Sequence, residues 1–129
     1  MSDNAEKILE KIDELYQKIE NIEHEILLMK SEYVKQNLSR FGVVEEYHDN
    51  IYRNSIGYKV KIKGNTLYIA LINNGKRVRI IIVQQNDELS TIIEEMWFEG
   101  FMKDNPMYSI IIPFNQLRDF FEKLEKTVR

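Results

Sequence analysis

Residues 5–36 read AEKILEKIDELYQKIENIEHEILLMKSEYVKQ. Alternating steps of three and four residues pick out Ala5, Ile8, Ile12, Leu15, Ile19, Ile22, Ile26, Met29, Tyr33 and Gln36. Ile8 to Met29 in that series are all Ile, Leu or Met. Apolar residues spaced 3.5 apart on average form the a/d seam of a coiled coil. One helix cannot bury so narrow a stripe against itself, so the pattern predicts a partner chain. The expectation is a homodimer through residues 5–36, with oligomerisation residues Ile8, Ile12, Leu15, Ile19, Ile22, Ile26 and Met29. The competing expectation packs the stripe on the chain's own head, although an intramolecular helix usually carries a wider apolar face.

The heptad also fixes the flanks. With Ile12, Ile19 and Ile26 at a, the g positions are Lys11, Lys18, Glu25 and Glu32, and the e positions are Leu9, Tyr16, Glu23 and Lys30. A parallel in-register dimer sets each g residue against the e residue five positions on. That pairs Lys18 with the partner's Glu23, and Glu25 with the partner's Lys30. Such pairs select orientation more than they stabilise. Ile at a favours two strands, whereas Ile at d positions 8 and 22 also admits a tetramer. The sequence reading favours the parallel dimer.

Beyond the heptads the pattern changes. The division predicted is a coiled-coil helix over 1–39 and a head domain over 40–129. Of the 129 residues, the head takes 90, adequate for one modest core. Residues 41–48 (FGVVEEYH) suit a short strand. Residues 58–63, 66–72 and 77–84 alternate as strands, separated by Gly64-Asn65 and by Asn73-Asn74-Gly75. Those are hairpin signals, and they predict an antiparallel meander. Residues 87–100 read as a helix, with Thr91 and Glu94 as a capping box and Asp104-Asn105-Pro106 as its breaker. Residues 107–112 are a further strand. Residues 115–128 form an amphipathic helix with Leu117, Phe120, Phe121, Leu124 and Val128 on one side. The fold class expected is α+β: a coiled-coil helix, then an antiparallel sheet packed with two helices.

Charge is segregated along this frame. Residues 1–39 carry 5 Lys against 9 Asp and Glu, a net of −4, whereas the whole chain stands at −3. Residues 50–86 hold Arg53, Lys59, Lys61, Lys63, Lys76, Arg77 and Arg79 and no acid. Successive strand side chains point to opposite faces. Lys59, Lys61 and Lys63 should therefore share a face with Arg77 and Arg79, opposite Val60, Ile62, Val78, Ile80 and Ile82. Tyr68 joins them if the register allows. Cations neutralise phosphates and tyrosine rings stack on bases of any sequence. The predicted nucleic-acid-binding residues are Arg53, Lys59, Lys61, Lys63, Tyr68, Lys76, Arg77 and Arg79. The bland alternative is that edge-strand lysines keep the sheet soluble.

Other chemistries have little to stand on. There is no cysteine, and His24 and His48 lie far apart without a metal-binding motif, so no metal site and no cofactor is expected. No catalytic set is apparent, and no enzyme activity is expected. No apolar run has the length of a membrane span, so no membrane partner is expected and the location expected is intracellular.

Two resemblances attach to Pro113-Phe114-Asn115-Gln116-Leu117-Arg118-Asp119-Phe120-Phe121. Pro followed by Leu at +4, Phe at +7 and Leu at +11 resembles the strand-to-helix junction of PUR-repeat single-stranded nucleic-acid-binding domains. That resemblance implies a four-stranded meander and a helix working in paired units. The helix predicted within 87–105 departs from it. The order of coiled coil, meander, inserted helix, strand and terminal helix is similar to monopolin and related RWD-type kinetochore heads, with Leu117, Phe120 and Phe121 at the matching junction positions. That likeness implies heads that bind other proteins. The sequence thus predicts a non-enzymatic dimer capturing single-stranded DNA or RNA on a basic sheet face. The alternative is a protein-interaction adaptor.

Overall fold

Helix α1 spans Ser2–Ser39 in the computed structural model, which describes residues 2–84, 89–96, 99–104 and 106–128. Asp3 lies in its first turn, where a carboxylate complements the helix dipole. The strands are β1 (Glu45–Tyr47), β2 (Ile56–Ile62), β3 (Asn65–Ile72), β4 (Arg77–Val83), β5 (Glu99–Asp104) and β6 (Met107–Pro113). Helix α2 is Ser90–Glu95 and helix α3 is Leu117–Val128. The chain is α+β, with one six-stranded sheet in the order β1-β2-β3-β4-β6-β5. Every neighbouring pair is antiparallel.

Register sorts the side chains into two faces. Tyr58, Ile69, Ile80 and Ile110 lie in one row across β2, β3, β4 and β6, and Val60, Leu67, Ile82 and Tyr108 lie in another. This face meets α3 through Leu117, Phe120, Phe121 and Leu124, all buried. Each such side chain contributes roughly 1.5–3 kcal/mol of transfer free energy. The alternation expected from sequence holds here: Val60, Ile62, Val78, Ile80 and Ile82 are all core residues.

The same core takes in the end of α1. Val34 and Leu38 are fully buried, and Leu27 and Tyr33 pack at the margin. Ser31 Oγ lies 2.5 Å from the Tyr58 hydroxyl, and Lys30 Nζ donates to the Gly75 carbonyl at 2.9 Å. The spacing of residues 27, 31, 34 and 38 is a second helical stripe, turned away from the a/d series. Leu28, beside Leu27, stays 52% exposed. Helix α1 therefore belongs to the head core from Leu27 onward, and Glu23, one turn earlier, still accepts a hydrogen bond from Asn74.

Three details differ from the sequence reading. The helix expected over 87–100 is confined to Ser90–Glu95, and Glu99–Asp104 is an edge strand. Gly100 is a poor helix residue, and the Asp104–Met107 pair closes a hairpin where a helix breaker was expected. Thr91 is inside α2 rather than at its cap, which is Leu89. Asp87, Trp97 and Phe98 lie outside the described residues. Finally, the first hairpin turns at Lys63-Gly64, both with positive φ (49° and 85°). Asn65 is fully buried at the start of β3, so it is not a turn residue.

Candidate functional site

The second face of the sheet carries the predicted binding residues. Lys59 and Lys61 of β2 pair with Tyr68 and Thr66 of β3, and Arg77 and Arg79 follow at alternate positions of β4. Lys63 is removed from this set by its place in the turn. Lys76 is an exposed loop residue just before β4.

Arg79 is not a surface cation. It is 9% exposed, and its Nη1 donates to Asp49 Oδ2 at 2.6 Å. Asp49 is itself 2% exposed. Its Oδ2 also accepts from the Tyr47 hydroxyl at 2.5 Å, while Oδ1 accepts from the backbone N–H groups of Ile51 (2.9 Å) and Tyr52 (3.0 Å). Burial alone would push the Asp49 carboxyl up. The hydrogen bonds from Tyr47, from the two N–H groups and from Arg79 outweigh it, and hold the carboxyl below its ordinary value of 3.8. The Tyr47 hydroxyl is pushed up, by burial first and then by its bond to Asp49 and that carboxylate's charge.

This cluster spans the sheet because the row beneath it is nearly bare. Tyr47, Gly57, Ala70 and Arg79 are consecutive across β1, β2, β3 and β4. A Cβ on Gly57 would stand 2.7 Å from Tyr47 Cδ1 and from the Tyr47 carbonyl oxygen, inside contact distance. The Tyr47 ring meets Tyr68 edge-on at 4.8 Å, and the Arg79 guanidinium lies 6.0 Å from the centroid of Tyr52. The 48–55 loop is thereby fastened over the middle of the face. With four bonds accepted, Asp49 is a structural anchor and has no spare capacity to act as a base.

What stays open is split by that loop. On the β1 side, Lys59, Lys61, Thr66 and Tyr68 line a groove of about 430 Å³ together with Val43, Glu45 and Val60. Glu45 Oε2 lies 3.7 Å from Lys59 Nζ. The carboxylate-free face expected from sequence is therefore corrected by Glu45 and Asp49, which β1 and the loop bring in from before residue 50. Arg53 lines a different cavity, about 430 Å³, with Leu27, Tyr52 and residues 71–75. The structure brings together Lys59, Lys61 and Tyr68, and disperses Arg53, Lys63, Lys76, Arg77 and Arg79.

Sequence reasoning missed Asp49, Tyr47 and Glu45. One signal was present: an arginine in the middle of RVRIIIV needs an anion when its strand is central. Among the described residues, no group of three or more His, Cys, Asp or Glu side chains could hold a metal ion. None of the helices is long and apolar enough to cross a membrane, among the described residues. The a/d residues Ile8 to Met29 are exposed on the single chain, Ile12 at 40%, Ile26 at 44% and Met29 at 72%, whereas Tyr33 packs edge-on against Phe114 and Phe121. No family model, curated protein or solved structure matches the chain.

Proposed function

We propose that the protein is a non-enzymatic, self-associating binding protein whose heads take single-stranded nucleic acid in the groove of Lys59, Lys61, Thr66 and Tyr68. The observation that carries the reading is the grouping of two lysines with a half-exposed tyrosine in one sheet groove. Lysines meet phosphates and the tyrosine face meets a base. Self-association follows from Ile8, Ile12, Leu15, Ile19, Ile22 and Ile26, which the chain's own head leaves uncovered. Residues 3–26 are all exposed on the single chain, and most of a helix's stability in a protein comes from packing its apolar face. A second helix supplies the missing burial. Two grooves in one particle raise the effective concentration at the second once the first is occupied.

A second reading is favoured by one observation. Val43 is 82% exposed and Glu45 faces Lys59, so the groove offers apolar, acidic and basic groups together. That mixture suits a protein segment, in keeping with the likeness of residues 113–121 to RWD-type heads.

The test is fluorescence anisotropy of labelled single strands of about 30 nucleotides against increasing salt. Two lysines per head predict a slope of log K on log salt of about −1.4 for each engaged head. Lys59→Glu with Lys61→Glu should weaken binding at low salt by at least about tenfold and flatten that slope. Saturable binding that ignores the double substitution would move the nucleic-acid site elsewhere. No binding at low salt would leave the adaptor reading.

A further inference from the structure

We propose that two copies pair through α1 in antiparallel orientation, centred between Glu20 and Asn21, with a head at each end. This rests on the self-association proposed above and goes against the parallel order favoured by the sequence. The parallel order needs Glu23 and Lys30 to reach the partner's Lys18 and Glu25. Both are already engaged by their own head. Lys30 Nζ donates to Gly75 and stands 4.7 Å from the Phe114 ring centroid, and Glu23 Oε2 accepts from Asn74 Nδ2 at 3.2 Å. Asn37, the next e residue, is half-buried. From Glu23 onward the head occupies the e flank of α1.

The g flank is open. Lys11, Lys18, Glu25 and Glu32 are all exposed, and their nearest contacts are surface ones, Lys11 with Glu14 and Glu32 with Gln36. Antiparallel helices bring g against g. Centred as stated, Lys11 meets the partner's Glu32 and Lys18 meets the partner's Glu25, and symmetry repeats both pairs. No like charges oppose. The seam layers are Ile12 with the partner's Met29, Leu15 with Ile26 and Ile19 with Ile22. Ile8 falls at the level of the partner's Tyr33, whose half-buried ring packs on its own head against Phe114 and Phe121.

The e flank gives the independent argument. Its first half is apolar, with Leu9 54% and Tyr16 63% exposed, and its second half is held against the head. A parallel pair leaves Leu9 beside Asn4 and Tyr16 beside Lys11. Reversal sets the partner's Tyr16 beside Glu23 and the partner's Leu9 beside Lys30, the two side chains that the 73–75 turn engages. The head-packed stretches, Leu27 to Leu38 of each helix, are then centred about 24 residues apart, roughly 36 Å along the axis.

Disulfide trapping reads the orientation, since the chain has no cysteine of its own. Leu15→Cys and Ile26→Cys are made separately in the full chain, at positions the head does not cover. Antiparallel pairing puts residues 15 and 26 of opposite chains in one layer. Identical cysteines are then offset by eleven residues, roughly 16 Å, too far to bridge. The expected result is a cross-linked species in the mixture of the two variants and almost none in either alone. Cross-linking of each variant with itself would overturn the orientation while leaving self-association standing. Absence of any cross-link would overturn this alignment, and sedimentation of the same samples then separates a dimer of another register from a monomer. As a second variant, Lys18→Glu with Glu25→Lys should keep wild-type association, whereas Lys18→Glu alone weakens it several-fold. In a parallel pair the double change would be the worse of the two.

Discussion

Asp49→Ala is expected to lower the unfolding free energy of the head by about 3–5 kcal/mol, the usual cost of stripping one partner from a buried ion pair. The change leaves the Arg79 guanidinium buried without its anion, the Tyr47 hydroxyl without its acceptor, and the N–H groups of Ile51 and Tyr52 unpaired. Urea unfolding followed by circular dichroism measures it. Asp49→Ala combined with Arg79→Met should recover a good part of the loss, because no unpaired charge remains. A loss below about 1 kcal/mol would mean that water reaches the pair. The pH dependence has a definite sign. The folded-state pKa of Asp49 is depressed, so its contribution is complete above the ordinary carboxylate value near 4. It is lost as pH falls from there through the depressed value. Wild-type stability should therefore drop more steeply on acidification than that of Asp49→Asn.

Ile19→Asp with Ile22→Asp should abolish association and leave the head folded. Both residues are about half exposed on the single chain, at 49% and 55%, so the head loses nothing by their replacement. The pair of chains loses four isoleucines from its central layers. With about half of each side chain left to bury, at roughly 1.5–3 kcal/mol for a whole one, that is about 3–6 kcal/mol, or about two to four decades in dissociation constant. Far-ultraviolet ellipticity should fall as well, because the free half of α1 no longer has a partner to hold it helical. Near-ultraviolet signals of the head should persist. Unchanged mass would show that the stripe is not what joins the chains.

These two sites were unequally legible in the sequence. The a/d stripe is a local periodic signal, and its residues could be named from spacing alone. The covered sheet face was legible for the same reason, since Val60, Ile62, Val78, Ile80 and Ile82 alternate with charged neighbours. The docking of α1 on the head was written there too, in Leu27, Ser31, Val34 and Leu38, but as a weaker stripe beside a stronger one. Residues 99–104 hold apolar and charged side chains in an order that serves a helix or a strand, and only pairing with β6 decides between them. The Asp49–Arg79 pair was not legible. Its members are thirty positions apart, and the contact depends on Gly57 and Ala70 leaving the space between them empty. A run of cations in sequence was thus read as one surface. The fold sends Arg79 inward, Lys63 to a turn and Arg53 to another cavity.

The central claim is that the exposed stripe of α1 is covered by a second copy in solution. Sedimentation equilibrium of the unmodified full chain at micromolar concentration measures this directly. The account predicts a mass of twice the 15.5 kDa of one chain. A single species at the mass of one chain, unchanged on concentration, would contradict it, and would remove the bivalent presentation of the Lys59, Lys61 and Tyr68 groove as well.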